Sequence, residues 1–325
     1  MAEDSLQALA RALARFSPAD WRTAVETLAA SMHPVDATAT RIWFAFFPLE
    51  LCQAFEATDD PQTLTRRLEL MGRWRLADQV DESHRFLFAH RYWPPVKSAI
   101  EITSDARAEP LAALISAVAD AAARTARVDR EMLLGISAVG LMTLRQAGAA
   151  AFAAAPGAVH LPDSARVMSP HQVLRRRARD DSQGPLGFLR GLKKTWTVTF
   201  DENLPDASFT AIHGQEMATA AQSDKREYRS KEPRCTPGEG PIPVECRAAS
   251  CGTCWVGVLG GAEKLSPVVA RDEGRRMKVF GYTDSKDPRP LIRLACQAGV
   301  SGAVSIVIPP WNGMIGRLRG SSTAE

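Results

Sequence analysis

The sequence predicts an α+β protein, with an all-helical N-terminal part and a C-terminal part of mixed strands and helices. Apolar residues recur at helical spacing from Leu6 to about Phe152, and the period changes to two from Thr195 onward. The chain has 325 residues, whereas a typical domain has roughly 100 to 150. We therefore expect two domains that differ in fold class.

The N-terminal part, residues 1–157, is predicted to be a helical bundle. A helix start is indicated by Ser17-Pro18-Ala19-Asp20, in which serine caps the helix, proline takes its first position and aspartate lies near the positive end of the helix dipole. Prolines interrupt the helical pattern at Pro34, Pro48 and Pro94-Pro95. These breaks predict six or seven helices.

The stretch from residue 158 to 193 is predicted to be a basic linker that contains glycine and proline. Its second half, RRRARDDSQGPLGFLRGLK, combines an arginine run with Gly184-Pro185 and lacks a hydrophobic period. The arginine run is either a solvated face or an electrostatic handle for an acidic partner. We place the start of the second domain, residues 194–325, directly after it, and we expect this domain to end in a C-terminal tail.

The second domain contains alternating segments that predict strands. TWTVTF at residues 195–200 and SFTAIHG at residues 208–214 are joined by a polar turn and predict a hairpin. Further strands are predicted in CWVGVLGG, LIRLACQ and AVSIVIPP, and short helices in QEMATAAQS and SPVVARDEGRRMKVF.

Composition excludes several function classes. Forty basic and 37 acidic residues give a net charge of +3, too balanced to indicate nucleic-acid binding. The N-terminus lacks a signal-peptide pattern. The apolar window from Met132 to Ala155 carries Arg145 and Gln146 in its middle, where a bilayer would make charge costly. We expect a cytoplasmic protein without a membrane span or a nucleic-acid partner.

Three of the six cysteines lie within nine positions. Cys246, Cys251 and Cys254 have the spacing C-x4-C-x2-C, and Cys296 is available as a fourth. This spacing is typical of iron–sulfur sites, and the small residues between the cysteines permit a tightly turning loop. Zinc usually takes two short knuckles or added histidines, and disulfides are typical of secreted chains, so both alternatives fit less well.

With these residues in view, residues 194–310 resemble the plant-type [2Fe–2S] ferredoxins. The order of elements is also similar: a hairpin, a helix, the cysteine loop, a strand, a short helix, and then the last cysteine and strand. The resemblance implies a β-grasp domain with a [2Fe–2S] cluster. It further implies that Cys246 and Cys251 bind one iron, which takes the electron, and that Cys254 and Cys296 bind the other. The helical domain is not recognised.

The resemblance implies a one-electron carrier with protein partners that donate and accept electrons. The chain shows no dinucleotide-binding motif, no P-loop and no nucleophile elbow, so we expect no catalytic residue and no enzyme activity. The helical domain would dock or select the partner. The alternatives are a redox-sensing or structural iron–sulfur protein, and a fixed electron-transfer subunit of a larger oxidoreductase complex.

This chain departs from the ferredoxin pattern in three respects. Residues 223–240 look like an insertion, the gap from Cys254 to Cys296 is long, and the domain is basic where such carriers typically show an acidic docking face. The basic residues are Arg271, Arg275, Arg276, Lys278, Arg289 and Arg293. Outside the ligand set, we expect Cys52 in a core and Cys235 as an inert loop cysteine, with a redox thiol as its alternative. We expect structural roles for His84 and His90.

Overall fold

The computed structural model describes residues 2–46, 59–60, 76–103, 110–178, 194–232, 234–280, 282 and 289–309. The described residues fall into two compact units. The helical unit includes the described residues up to 46 and from 76 to 170, and the C-terminal unit includes residues 59–60 and those from 171 onward.

Seven α-helices lie between residues 2 and 154 of the described chain, which confirms the all-helical prediction. They are α1 (Ala2–Ala14), α2 (Pro18–Ala29), α3 (Pro34–Phe46), α4 (Trp93–Glu101), α5 (Leu111–Ala126), α6 (Arg130–Ala147) and α7 (Ala149–Ala154), with 3-10 turns at Leu76–Asp78 and Phe88–Tyr92.

The start of α2 has the cap that its sequence predicts. The Ser17 hydroxyl accepts a hydrogen bond from the Asp20 amide at 3.2 Å, and the Ser17 amide donates to the Asp20 carboxylate at 2.7 Å. Each side chain satisfies a backbone donor that the helix itself leaves open, while Pro18 takes the first position, where no donor is needed.

Helix α6 lies at the centre of the helical unit. Every residue from Met132 to Leu144 is buried. Glycines allow its neighbours to approach closely, since a Cβ at Gly140 would stand 2.9 Å from the Trp93 ring. The apolar window therefore forms most of the core helix α6 together with the short helix α7. Within the described ranges, no helix is long and apolar enough to cross a membrane.

Two buried carboxylates brace the loops of the helical unit. Asp36 accepts hydrogen bonds from the amides of Phe88 and Ala89, each at 2.7 Å. Asp81 accepts from the Trp93 indole at 2.7 Å and from the Gly157 amide at 2.8 Å. Buried charge is tolerated only when it is hydrogen-bonded, so both carboxylates have a structural role.

A buried histidine pair packs against Trp93, the residue whose indole donates to Asp81. The Nδ1 atoms of His84 and His90 are 3.0 Å apart, and His84 Nε2 lies 3.2 Å from the Val80 carbonyl oxygen. Burial lowers the pKa of His90 to about 4, reinforced by the positive charge of Arg85. The predicted structural role fits this packing, although His90 Nε2 has no hydrogen-bond partner among the described residues.

Two short helices lie in the stretch for which the sequence predicted a linker. They are α8 (Asp163–Arg166) and α9 (Pro170–Ala178). Arg177 on α9 is buried and forms two hydrogen bonds of 2.8 Å to the Glu202 carboxylate within the C-terminal unit. This arginine is therefore not part of a solvated face.

The C-terminal unit is built on a five-stranded mixed sheet, as the β-grasp expectation required. Its strands are β1 (Thr195–Thr199), β2 (Ser208–Ile212), β3 (Trp255–Gly260), β4 (Ile292–Leu294) and β5 (Val304–Val307), in the order β2-β1-β5-β3-β4. β1 and β5 are parallel and the other neighbours are antiparallel. Two helices accompany the sheet, α10 (Met217–Ala221) and α11 (Arg275–Phe280), the latter continuing a π-helical turn at Ala270–Gly274.

Candidate functional site

The loop before β3 carries three of the predicted cysteines and turns back on itself. Arg247 and Ala249 adopt positive φ angles of 54° each, and Gly252 adopts 75°. Left-handed residues alternating with ordinary ones rotate successive amides toward the same side, which creates a concave surface lined by N–H groups. The small residues of the sequence serve this turn.

The amides of this loop point at sulfur atoms. Cys246 Sγ accepts hydrogen bonds from the amides of Ser250 and Cys251 at 3.3 Å and of Ala248 at 3.5 Å. Cys251 Sγ accepts from the Thr253 amide at 3.4 Å. Such donors stabilise negative charge on sulfur, so the loop suits thiolates better than neutral thiols.

The four predicted cysteines meet as two pairs. The Cys251 thiol donates a hydrogen bond to Cys246, and the Cys254 thiol donates to Cys296. The hydrogen bond from Cys254 lowers the pKa of Cys296, and the same contact, together with burial, raises the pKa of Cys254. In each pair, therefore, the two sulfur atoms are close enough to shift each other's pKa.

The two pairs differ in exposure. Cys254 and Cys296 are 2% and 8% exposed, whereas Cys246 and Cys251 are half-buried. The difference follows from the fold, because Cys254 directly precedes β3 and Cys296 closely follows β4. These two strands are paired in the sheet, so the two cysteines lie against its core. The half-buried pair thus lies nearer the solvent.

Side-chain contacts that the sequence did not predict support the loop. Arg276 Nε donates to the Ala249 carbonyl at 3.1 Å and ties the loop to α11. The Gln297 amide lies 3.6 Å from Cys296 Sγ. The Thr253 hydroxyl donates to the Glu245 carboxylate at 3.0 Å, next to the cysteine loop.

A buried ion pair holds the strand that ends near the fourth cysteine. Arg293 and Glu273 are fully buried and joined by two hydrogen bonds of 2.9 Å. Glu273 also accepts from the Leu294 amide at 2.6 Å. The sequence pattern grouped Arg293 with the basic surface residues, and this was wrong because its charge is neutralised inside the domain.

The remaining cysteines lie apart from this site or outside the described residues. Cys235 is buried, and its thiol donates to the Pro241 carbonyl at 3.4 Å. Burial raises its pKa to about 12, so it stays protonated and unreactive, as expected for an inert thiol. Cys52 lies outside the described residues.

The arrangement of thiols suits a two-iron cluster better than a single metal ion. Within the described part of the chain, no group of three or more His, Cys, Asp or Glu side chains gathers closely enough to hold one ion. A structural zinc needs four ligands around one centre. A [2Fe–2S] cluster needs two thiolates on each of two irons, and two separate cysteine pairs meet that requirement.

The fold and the cysteine loop define a class of domain, in which a mixed β-grasp sheet carries a loop of cysteines at one edge. Residues 237–301 match the family model described as a 2Fe-2S iron-sulfur cluster binding domain. The recognition from sequence is thereby confirmed for the C-terminal part, and a [2Fe–2S] cluster is the cofactor of this domain. The match covers about a fifth of the chain and includes no residue of the helical unit. No curated protein and no solved structure gives a significant match.

Proposed function

We propose that this protein is a [2Fe–2S] one-electron carrier in which Cys246, Cys251, Cys254 and Cys296 are the cluster ligands. The observation that supports this most directly is the pairing of four thiols beside a ring of amides that point at sulfur. The matched domain family independently supports an iron–sulfur electron carrier. When bound, the cluster supplies a site that accepts and releases one electron.

The chain's own residues would provide three things for such a cluster. The amides of Ala248, Ser250 and Cys251 stabilise thiolate charge. Trp255, which follows Cys254 in β3, is fully buried and helps exclude water from the inner pair. The half-buried outer pair, Cys246 and Cys251, offers the short path to a docked protein. We accordingly assign the electron exit to the outer pair.

We further propose that the helical domain, residues 1–157, docks or selects the redox partner, and that residues 194–325 form the cluster domain. Support for a non-catalytic role comes from its buried acids, because Asp36 and Asp81 both hold backbone amides in place. A stable stoichiometric complex on purification of the full chain would point instead to a fixed subunit of a larger oxidoreductase.

Cysteine replacement tests the ligand assignment. Anaerobically purified wild-type protein should contain two irons and two sulfides per chain and develop an S = 1/2 EPR signal only after reduction by dithionite. Cys251→Ser should lose this signal or shift its g values. Cys235→Ser is the matched control, since its thiol bonds only to the Pro241 carbonyl. An unchanged signal in Cys251→Ser, or loss of iron in Cys235→Ser, would refute the assignment.

A further inference from the structure

The outer surface of the π-helical turn and α11 carries a row of positive charges. Arg271, Arg275 and Lys278 are exposed and follow one another at intervals of four and three residues, so they share one helical face. We call these three side chains the basic row. No ion pair with a carboxylate is present for any of them among the described residues.

The charge of this face is not cancelled locally. Residues 269–278 contain four basic side chains and two acidic ones, but Glu273 is buried and neutralised by Arg293. Asp272 is then the one exposed acid of the segment. The exposed side chains of the segment thus have a net charge of two positive units, and the half-buried Arg276 adds a third. Like charges four residues apart disfavour a helix, so local stability does not explain the row.

The basic row lies beside the cysteine loop. Arg276, between Arg275 and Lys278 in sequence, donates to the carbonyl of Ala249, which lies between Cys246 and Cys251 in the loop. The helix that carries the basic row is therefore in direct contact with the loop of the half-buried cysteine pair. Val269, at the start of the π-helical turn, is 52% exposed and adds an apolar contact next to the charges.

We propose that the basic row is the docking surface for an acidic redox protein that exchanges electrons through the outer cysteine pair. This inference rests on the proposed function. Charge complementarity steers association and orients the partner, and brief electron-transfer encounters need only a small interface. Three basic side chains fall short of the four to eight that typically bind anionic lipid, so we favour a protein partner over a membrane surface.

The electron step in the test is a simple one. The reduced protein gives one electron to a cobalt(III) complex, which becomes cobalt(II), and no proton is transferred. Tris(oxalato)cobaltate(III) and hexaamminecobalt(III) carry charges of about −3 and +3, so together they report the electrostatic field at the exit point. Affinity of the oxidised protein for an acidic flavodoxin, measured by calorimetry, provides a readout that needs no turnover.

The test variant is Arg275→Glu with Lys278→Glu, and the control is Arg229→Glu with Lys231→Glu. The control changes the net charge by the same amount at two exposed residues of the insertion. Arg226, near both of them in sequence, is anchored to Asp206 in the turn between β1 and β2, and β2 is the edge strand opposite β4. At low ionic strength the test variant should lose about fivefold or more in rate with the anionic complex, gain with the cationic one, and lose flavodoxin affinity. The control should change by less than about twofold, and high salt should remove the differences.

The outcomes separate this inference from the function on which it rests. If both variants keep the reduced EPR signal but respond equally to both complexes, the docking surface is refuted while the carrier function stands. Binding to phosphatidylserine vesicles that the test variant alone loses, with flavodoxin affinity unchanged, would overturn the protein partner in favour of lipid. Absence of the EPR signal in the wild type would refute the proposed function itself.

Discussion

Replacing Arg293 by methionine tests how the fourth cysteine is held. The variant keeps side-chain length but removes both hydrogen bonds to Glu273 and one of 2.8 Å to the Ser266 carbonyl. Glu273 would remain fully buried with the Leu294 amide as its remaining described donor. Because Leu294 is two residues from Cys296, loosening this strand also disturbs the site.

The magnitude follows from the burial of the pair. Breaking a buried ion pair by removing one partner typically costs about 3–5 kcal/mol, because the other charge stays desolvated. For a unit of this size, a loss of about 4 kcal/mol lowers the melting temperature by roughly 10–20 °C. We expect the melting temperature of Arg293→Met to fall by this amount, and we expect the variant to retain less iron per chain than the wild type.

Two further variants make the measurement decisive. Adding Glu273→Gln to Arg293→Met removes the orphan charge but keeps an acceptor for Leu294, so the double variant should regain half or more of the loss. Arg177→Met breaks another well-buried pair of this unit, with Glu202, and should destabilise the unit without a comparable loss of iron. Thermal and denaturant unfolding, followed by circular dichroism and cluster absorbance, measures both effects. If the single variant is within about 1 kcal/mol of the wild type, or the double variant is no more stable than the single, then the Arg293–Glu273 pair does not hold the strand in place.

Three other predictions concern the rest of the chain. The pKa of His90 is about 4, whereas that of an unfolded histidine is about 6.5. The helical unit should therefore keep its full free energy of unfolding above pH 6.5 and lose stability as the pH falls, by about 2 kcal/mol at pH 5. Denaturant unfolding of His90→Leu should show a smaller dependence of stability on pH. Gly240→Ala should cost well over 2 kcal/mol, since φ is +83° and the new Cβ would meet the Ala221 carbonyl, while Gly238→Ala, with φ +76° and open space, should cost about 1–2 kcal/mol; equal losses would contradict this. Asp36→Ala should destabilise the helical unit by about 2–4 kcal/mol, because two buried amides lose their acceptor. A decrease in the free energy of unfolding of less than about 1 kcal/mol would contradict this role of Asp36.

The strands were predictable because their patterns are local. Each of the five predicted strand segments contains the observed strand to within a few residues, from β1 at Thr195–Thr199 to β5 at Val304–Val307. Period-two alternation bounded by glycine or proline needs no long-range information. The helix start at Ser17 was predictable for the same reason, since a cap involves residues three positions apart.

The errors arose where a distant residue decides the outcome. Arg177 and Arg293 look like surface charges in the sequence. Each is in fact buried and hydrogen-bonded to a glutamate 20 or more residues away, Glu202 for Arg177 and Glu273 for Arg293. The left-handed conformation of Arg247 and Ala249 was likewise hidden, because neither residue type favours positive φ by itself. Spacing identified the cysteines and the ferredoxin resemblance implied their pairing, but Cys296 lies beside Cys254 only because β4 pairs with β3.

The most direct test of the account is a potentiometric titration of the full chain, monitored by EPR. An electron carrier should show one reversible couple with a one-electron Nernst slope, and its signal should return to full intensity over repeated cycles. A cluster that dissociates on reduction, or that shows no reversible one-electron couple, would contradict the carrier function and favour a redox sensor or a structural iron–sulfur protein.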